Sequence, residues 1–134
     1  MSDVSGVNHV TLAVTDLDRS VAFYRDRLGA RPRCLWSRGA YVELGALWLC
    51  LEKTGDVTPR DDDSHIAFTV AAEDFDVAVA RLGDAALWKE NRSEGRSLYF
   101  LDPDGHKLEL HVGGLAERLA HFRTRQPEGM RFFD

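Results

Sequence analysis

The chain is 134 residues long, with 44% hydrophobic and 29% charged residues, proportions that are typical of one globular domain. No apolar run approaches the roughly 20 residues of a membrane-spanning helix, and the N-terminal residues lack the features of a secretory signal, so we expect a cytoplasmic protein. A formal net charge of −5 disfavours nucleic-acid binding, which depends on a basic surface. Because Cys34 and Cys50 stand alone, we expect any metal to be bound by histidine and carboxylate.

The predicted elements form an internal repeat. The strand-like segment HVTLAV, which begins at His9, recurs as HIAFTV from His65. Each copy then runs through an acidic helix start into an apolar-periodic segment that ends in Arg-Leu-Gly, where glycine suits a left-handed helix cap. Three short strand-like segments follow each helix, at 33–36, 41–44 and 47–51 in the first copy and at 87–90, 97–101 and 107–112 in the second.

This repeat predicts a single α+β domain over residues 1–134, built from two β-α-β-β-β units. The first unit is followed by a polar linker that contains proline and glycine, and a helix follows the second unit. The boundaries are about 5–52 for the first unit, about 53–63 for the linker, about 64–113 for the second unit and about 115–123 for the last helix.

The two repeat histidines and one glutamate are candidate metal ligands. Because alternate side chains of a strand share a face, His9 and His65 begin polar faces on equivalent strands. Overlaying the last strands of the two units by their leucines places Cys50, an alternative fourth ligand or a buried inert thiol, opposite Glu109. Two imidazoles and one carboxylate suit Mn, Fe(II), Zn or Ni and leave positions for substrate. Structural histidines and a solvent-facing glutamate fit the spacing equally well, and His111 is an alternative ligand.

Four segments carry the most specific motifs: VNHVT at 7–11, GAYVELGALWLCL at 39–51, WKENRSEGRSLYFLDPDGHKLELHVG at 88–113 and GMRFFD at 129–134. These segments closely resemble the manganese-dependent fosfomycin-resistance glutathione transferases of the vicinal-oxygen-chelate superfamily. The resemblance runs nearly the length of the chain, although the linker matches poorly. It implies paired β-α-β-β-β units in a domain-swapped homodimer whose active sites are shared between subunits.

The resemblance also implies roles for individual residues. It implies a Mn(II) site made by His9 of one subunit with His65 and Glu109 of the other, with Thr11 beside the metal-bound oxyanion. The phosphonate of fosfomycin would be bound by cations and hydroxyl groups, namely those of Lys89, Ser93, Tyr99 and Arg118. A potassium ion would be held in a loop by Asn91, Ser93, Gly95 and Ser97.

The second substrate implied by the resemblance is glutathione. Trp36 and Tyr41 would line its channel near Lys89 and Arg92, and Tyr41 would stabilise the thiolate, which is the attacking species. Two positions depart from the family pattern. They are Arg38, where a neutral polar residue is usual, and Asp63, where an aromatic residue is common.

The implied activity is a Mn(II)- and potassium-dependent glutathione S-transferase that opens the epoxide of fosfomycin and so gives antibiotic resistance. Alternatives within the family are hydration, with Glu43 or Glu90 as the base, and transfer of another thiol. A metal-free drug-binding protein of the same fold, of the kind that sequesters bleomycin, is a different class. The joint presence of both histidines and the glutamate counts against that class. The expected partners are small molecules and a second copy of the chain, with no nucleic acid and no membrane.

Overall fold

The computed structural model describes residues 2–92 and 95–133, and it confirms the predicted pair of β-α-β-β-β units. Helices in the described ranges are too short or too polar to cross a membrane. The first unit consists of β1 (His9–Val14), α1 (Leu17–Leu28), β2 (Arg31–Trp36), β3 (Gly39–Leu44) and β4 (Leu47–Lys53). The second consists of β5 (Ile66–Thr69), a 3-10 turn (Ala72–Asp74), α2 (Phe75–Leu82), β6 (Leu87–Lys89), β7 (Ser97–Leu101) and β8 (Lys107–His111), and α3 (Leu115–Arg125) follows.

Each unit forms one four-stranded sheet, in the order β1-β4-β3-β2 and β5-β8-β7-β6. The first strand of each unit pairs in parallel with the last strand of the same unit. β1 and β5 are therefore edge strands of their sheets. Thr11 is registered with Cys50 and Ala67 with Glu109, so the predicted equivalence of Cys50 and Glu109 is confirmed.

The helix ends match the prediction in the first unit and differ from it in the second. Asp16 caps α1 by accepting a hydrogen bond from a first-turn amide at 3.0 Å, and Gly29 closes the helix in the left-handed conformation. Gly83 ends α2 with φ 58° and ψ −118°, outside the left-handed helical region. Here Arg27 donates a hydrogen bond to the Leu82 carbonyl, and a Cβ at Gly83 would lie 2.9 Å from the Arg27 guanidinium. Glycine suits this position because L side chains rarely adopt its φ of +58°.

The hydrophobic core lies between the helices and one face of each sheet. Because side chains alternate along a strand, the opposite face of each sheet is left for the predicted site residues. Burial of apolar surface, worth roughly 25 cal/mol per Å², holds the sheets against the helices. The largest fully buried side chains include Tyr24, Leu49, Leu51, Phe100 and Leu108.

The turn between β7 and β8 ties the second unit to the first. Asp102 accepts hydrogen bonds from the buried Tyr24 hydroxyl at 2.7 Å and from the amides of Asp104 and His106. Asp104 in turn accepts a hydrogen bond from the Thr15 hydroxyl at 2.6 Å, and the His106 ring lies 2.7 Å from a carbonyl oxygen of β1. Because these contacts run between the units, they hold the two sheets in a defined relative orientation.

Candidate metal centre and anion site

The second sheet brings two of the three predicted metal ligands together. His65 directly precedes β5, Glu109 lies in the neighbouring strand β8, and Nε2 of His65 is 2.8 Å from Oε1 of Glu109. Glu109 is only 6% exposed, although glutamate is seldom buried without a partner. A buried carboxylate beside an imidazole is the expected arrangement for two ligands of one metal ion.

The hydrogen bonds of His65 show that this pair suits a cation. Nδ1 of His65 is 2.6 Å from the carbonyl oxygen of Asp63, and since a carbonyl oxygen only accepts, Nδ1 carries the proton. In the neutral ring Nε2 is then an acceptor, and it faces a carboxylate oxygen that is also an acceptor. Such a pair needs a proton or a metal ion between its atoms. A spacing of 2.8 Å is close to the roughly 3 Å between neighbouring ligand atoms in a six-coordinate ion with bonds of about 2.1 Å.

His111, the alternative ligand, contacts the other oxygen of Glu109 both directly, with Nδ1 3.3 Å from Oε2, and through a serine. The Ser97 hydroxyl lies 2.7 Å from Oε2 of Glu109 and 2.6 Å from Nδ1 of His111. With Glu109 ionised, the single hydroxyl proton is donated to the carboxylate, so His111 donates its Nδ1 proton to Ser97. Nε2 of His111 lies 3.5 Å from Nη2 of Arg118. This arrangement favours His111 as a support that orients Glu109, because metal-binding carboxylates are commonly held by such partners.

His9 lies on the other sheet, at the edge strand β1. Its Nδ1 is 2.7 Å from Oδ1 of Asn8, which again leaves Nε2 as the acceptor, and its ring stacks on Trp48 with 4.3 Å between centroids. Among the described residues, no three His, Cys, Asp or Glu side chains converge on one point. The triad is therefore incomplete within this single chain, and the shared site of the predicted dimer stays a prediction.

The face around His9 carries the residues predicted to act on the thiol. Trp36 and Tyr41 meet edge to face at 4.9 Å, and Tyr41 meets Trp48 at 5.2 Å. Thr11 and Tyr41 are both registered with Cys50, so the three residues form one cross-strand row. Cys50 is partly exposed, so the predicted burial of this thiol is wrong for the single chain described.

The predicted phosphonate residues adjoin the His65 pair. Lys89 and Tyr99 are registered opposite each other on β6 and β7, and Nζ of Lys89 lies over the Tyr99 ring at 5.3 Å. The Tyr99 ring is 5.7 Å from that of His65. Lys89 also donates a hydrogen bond to Asp63 at 2.8 Å, and this bond raises the pKa of Lys89 and lowers the pKa of Asp63. Arg92 is exposed and pairs with Glu90 at 3.3 Å.

The predicted potassium loop is described in part, since Ser93 lies outside the described residues. The Asn91 side-chain amide donates to the Gly95 carbonyl at 2.9 Å, which closes the loop on itself. Gly95 has a φ of +87°, and a Cβ there would lie 3.2 Å from both the His111 ring and the Val112 carbonyl. Gly95 is therefore packed closely on the end of β8, and the potassium site stays a prediction.

Comparisons with known proteins agree with this fold and these motifs. Residues 6–110 match the Glyoxalase/Bleomycin resistance protein/Dioxygenase superfamily. The chain belongs to this superfamily. It is 51% identical to glutathione transferase FosA from Serratia marcescens, with 96% of each chain covered. It is 37% identical to metallothiol transferase FosB from Shouchella clausii, over 93% of this chain and 92% of the relative.

The solved structures of superfamily members include fosfomycin resistance proteins. A mutant of FosX from Listeria monocytogenes, complexed with Mn(II) and 1S,2S-dihydroxypropylphosphonic acid, has a TM-score of 0.80 and 33% identity to this chain. The match covers 89% of this chain and 98% of that one. The predicted resemblance to fosfomycin resistance proteins is thereby confirmed.

Two tryptophans of this superfamily member belong to the site but are absent from the sequence-based prediction. Trp48 stacks on His9, and Trp88 packs against His65 at 5.2 Å while its indole N–H donates to the Leu108 carbonyl at 3.0 Å. Strand alternation could have identified Trp48, because it lies two residues before Cys50 and so shares its face. The position of Trp88 follows a register shift between β6 and β7, which the sequence does not reveal.

Proposed function

We propose that this protein is a metal-dependent glutathione S-transferase that opens the epoxide of fosfomycin and thereby gives resistance to it. The observation that supports this most directly is the pair of acceptor atoms on His65 and Glu109, placed beside the Lys89 and Tyr99 side chains. A metal site next to the Lys89 ammonium group and the Tyr99 hydroxyl suits an epoxide that bears a phosphonate. The 51% identity to glutathione transferase FosA supports the same choice.

The proposed metal ligands are His9, His65 and Glu109, with Mn(II) as the proposed ion. Mn(II) bound there would act as a Lewis acid on the epoxide oxygen. Hydrogen bonds to Asn8 and to the Asp63 carbonyl hold the Nδ1 protons of His9 and His65. Nε2 of each ring is then the nitrogen that would bind the ion.

Binding of the phosphonate is assigned to the charged side of the second sheet. Lys89 supplies a point charge, the Tyr99 hydroxyl a hydrogen bond, and Arg118 a planar fork that suits phosphonate oxygens. Arg118 lies on α3, with Nη2 of its guanidinium 3.5 Å from Nε2 of His111. Ser93 is proposed as a fourth phosphonate contact.

Attack by glutathione is assigned to the aromatic face of the first sheet. Trp36 and Tyr41 would line the thiol channel, with Arg92 near its mouth, and the Tyr41 hydroxyl would donate to the sulfur and favour the thiolate. The thiolate attacks the carbon that bears the phosphonate, from the side opposite the ring oxygen. The C–O bond then breaks with inversion, and Thr11 would donate a hydrogen bond to the developing alkoxide. The alkoxide takes its proton from water, which balances the proton that the glutathione thiol released to solvent.

A homodimer with shared sites is part of the proposal. It would unite the aromatic and charged faces, which lie on separate sheets of one chain. The edge strands β1 and β5 carry or adjoin the two histidines, and exposed strand edges are common places of association. An apolar cavity of about 730 Å³ next to these strands, lined in part by Val10, Phe68 and Leu110, offers surface for a second copy.

A potassium ion in the 91–97 loop is also proposed. It would be held by Asn91, Ser93, Gly95 and Ser97 and would add positive potential near the phosphonate site. The Ser97 hydroxyl donates a hydrogen bond to Glu109, so the end of this loop contacts one of the proposed metal ligands.

Use of glutathione also implies the cytoplasm, where the glutathione pool is kept reduced.

Hydration of the epoxide is the second candidate, because the FosX mutant that shares this fold was solved with 1S,2S-dihydroxypropylphosphonic acid, a diol. It needs a carboxylate that accepts a proton from water. The candidate base Glu43 forms an ion pair with Arg33, which lowers the pKa of Glu43, and Glu90 is exposed and paired with Arg92. The ion pair with Arg33 weakens Glu43 as a base, and Glu90 is engaged by Arg92, so thiol transfer is favoured.

The deciding experiment is product analysis by mass spectrometry. Purified protein is incubated with fosfomycin and glutathione, with and without Mn(II), in matched potassium and sodium buffers. We expect a glutathione adduct that requires Mn(II) and forms faster in potassium. A diol would establish the hydrolase instead, and absence of turnover in every condition would favour a drug-binding protein.

A further inference from the structure

The lysine that the proposed function assigns to the phosphonate already has an anionic partner. Nζ of Lys89 donates a hydrogen bond to Oδ2 of Asp63 at 2.8 Å, and it lies over the rings of Tyr99 and Trp88 at 5.3 and 5.9 Å. Since the two rings are uncharged, Asp63 is the anion that this lysine hydrogen-bonds among the described contacts. Asp63 thus occupies the place at Lys89 that an incoming anion would take.

The backbone around Asp63 holds its side chain in this position. Asp62 accepts a hydrogen bond from the Ser64 amide at 3.0 Å, and the Asp62 carbonyl accepts one from Lys107 at 2.5 Å. The Asp63 carbonyl accepts the Nδ1 proton of His65 at 2.6 Å. With the segment fixed on both sides, the Asp63 carboxylate is held at the surface within hydrogen-bonding distance of Lys89.

We propose that Asp63 is a specificity-determining residue that lowers the affinity of the site for small dianions by competing for Lys89. The proposal rests on the proposed function, because it assumes that Lys89 binds the phosphonate. A phosphonate or phosphate must displace a carboxylate that is already bonded to the lysine. Substrates that gain enough from the metal and Arg118 tolerate this cost, whereas anions that depend on Lys89 alone are rejected.

The expected size of the effect is moderate. The Asp63 side chain is 75% exposed and that of Lys89 is 38% exposed, and exposed ion pairs are weakened by water and salt. Freeing Lys89 from an exposed ion pair of this kind should change the affinity for an anion by roughly 2- to 5-fold. The effect should therefore be measurable without being decisive for folding.

The test uses inorganic phosphate as the probe and the Mn(II)-loaded full chain. Phosphate binding is measured by titration calorimetry for the wild type, Asp63→Asn, Lys89→Gln and the double variant. We expect Asp63→Asn to bind phosphate roughly 2- to 5-fold more tightly, because Lys89 is no longer engaged by a carboxylate. In the Lys89→Gln background the same change should have less than about a twofold effect, because no lysine is left to compete for.

Asp61→Asn is the matched control. It removes the same charge from the same segment, and Asp61 acts on Arg60 rather than on Lys89. A gain in Asp61→Asn equal to that in Asp63→Asn would overturn the proposal in favour of a general charge effect. Weaker phosphate binding by Asp63→Asn would also overturn it, because Asp63 would then be orienting Lys89 for the anion. An equal gain in the Lys89→Gln background would show simple repulsion and overturn the competition with Lys89.

Steady-state kinetics with fosfomycin gives an independent readout. Asp63→Asn should lower the KM for fosfomycin while kcat changes less than about twofold, since the carboxylate contacts the binding lysine and not the reacting carbon. The phosphate titration does not depend on turnover, so failure of the transferase assignment would leave it interpretable. Failure of all variants to bind phosphate would overturn the anion site and the proposal with it.

Discussion

The outer faces of the two sheets share one register but differ in chemistry. Tyr41 and Tyr99 occupy equivalent positions, because they are registered with the equivalent residues Cys50 and Glu109. Around Tyr41 the neighbours are two tryptophans and a thiol, whereas around Tyr99 they are one tryptophan, a lysine, a histidine and a buried carboxylate. Tyr41 is 38% exposed and Tyr99 is 5% exposed. One repeated frame therefore supplies an open aromatic face and a partly buried charged face.

This difference teaches how the proposed reaction is divided. The charged face holds groups that need fixed geometry, namely metal ligands and anion-binding side chains. The open face leaves room for a second substrate to arrive. Neither face alone has three metal ligands among the described residues, so the proposed enzyme depends on bringing one face of each kind together.

The largest expected effect comes from breaking the charged face at Glu109. Glu109→Gln should weaken Mn(II) binding more than about 100-fold, because it removes an anionic ligand, whereas His111→Gln should cost about 10- to 100-fold as a loss of support. Mn(II) affinity measured by electron paramagnetic resonance of the free ion checks this. If Glu109→Gln binds Mn(II) tightly and His111→Gln does not, His111 is the ligand.

A mixing experiment tests whether the two faces of one site come from different chains. His9→Ala and Glu109→Gln should each be inactive, but after joint unfolding and refolding about half of the dimers should be mixed. One of the two sites in a mixed dimer would then be intact, which gives about a quarter of wild-type activity. A mixture that stays as inactive as its components would contradict a shared site.

The two equivalent tyrosines allow a matched comparison of the faces. Tyr41→Phe should lower kcat/KM for glutathione about tenfold and leave the KM for fosfomycin nearly unchanged, since it removes a hydrogen bond to a charged sulfur. Tyr99→Phe should raise the KM for fosfomycin by a similar factor and leave glutathione binding nearly unchanged. Steady-state kinetics with each substrate varied in turn distinguishes them. Equal effects of both variants on both substrates would remove the proposed division of roles.

The smallest effect on catalysis is expected at the junction that holds the faces in position. Tyr24→Phe removes the buried hydrogen bond to Asp102 and should lower the free energy of unfolding by about 1–3 kcal/mol. Burial, followed by the nearby Asp102 charge, raises the pKa of Tyr24 well above its usual value near 10. The folded state therefore favours the neutral phenol, and this stabilisation is complete below pH 10 and is lost as pH rises above it.

Denaturant unfolding from pH 8 to pH 11 measures this effect. The wild type should lose stability above about pH 10, and Tyr24→Phe should lose less, because it lacks the ionising group. Tyr99→Phe serves as a control in a different buried position. An equal loss in wild type and Tyr24→Phe would show that another group causes the alkaline destabilisation.

Much of the fold was predictable, because each repeat unit shows its helix and strands in the spacing of neighbouring residues. The Arg-Leu-Gly helix ends, the strand segments and the equivalence of Cys50 and Glu109 all follow from periodicity and spacing. The conformation at Gly83 was not predictable, because the same Arg-Leu-Gly motif ends α1 at Gly29 in the left-handed conformation. The exposure of Cys50 was also missed, because its apolar neighbours alternate to the opposite face and say nothing about what covers its own.

The sequence by itself determined the two units, the candidate ligands His9, His65 and Glu109, and the resemblance to fosfomycin resistance proteins. Only the tertiary structure decided which of them meet: His65 with Glu109, and His9 on a separate sheet with Trp48. It also decided that Lys89 is paired with Asp63 across 26 positions of the chain. The physical reason is that spacing along a strand specifies a face, whereas distances between strands, and the charges that neutralise one another, depend on how the sheets are joined.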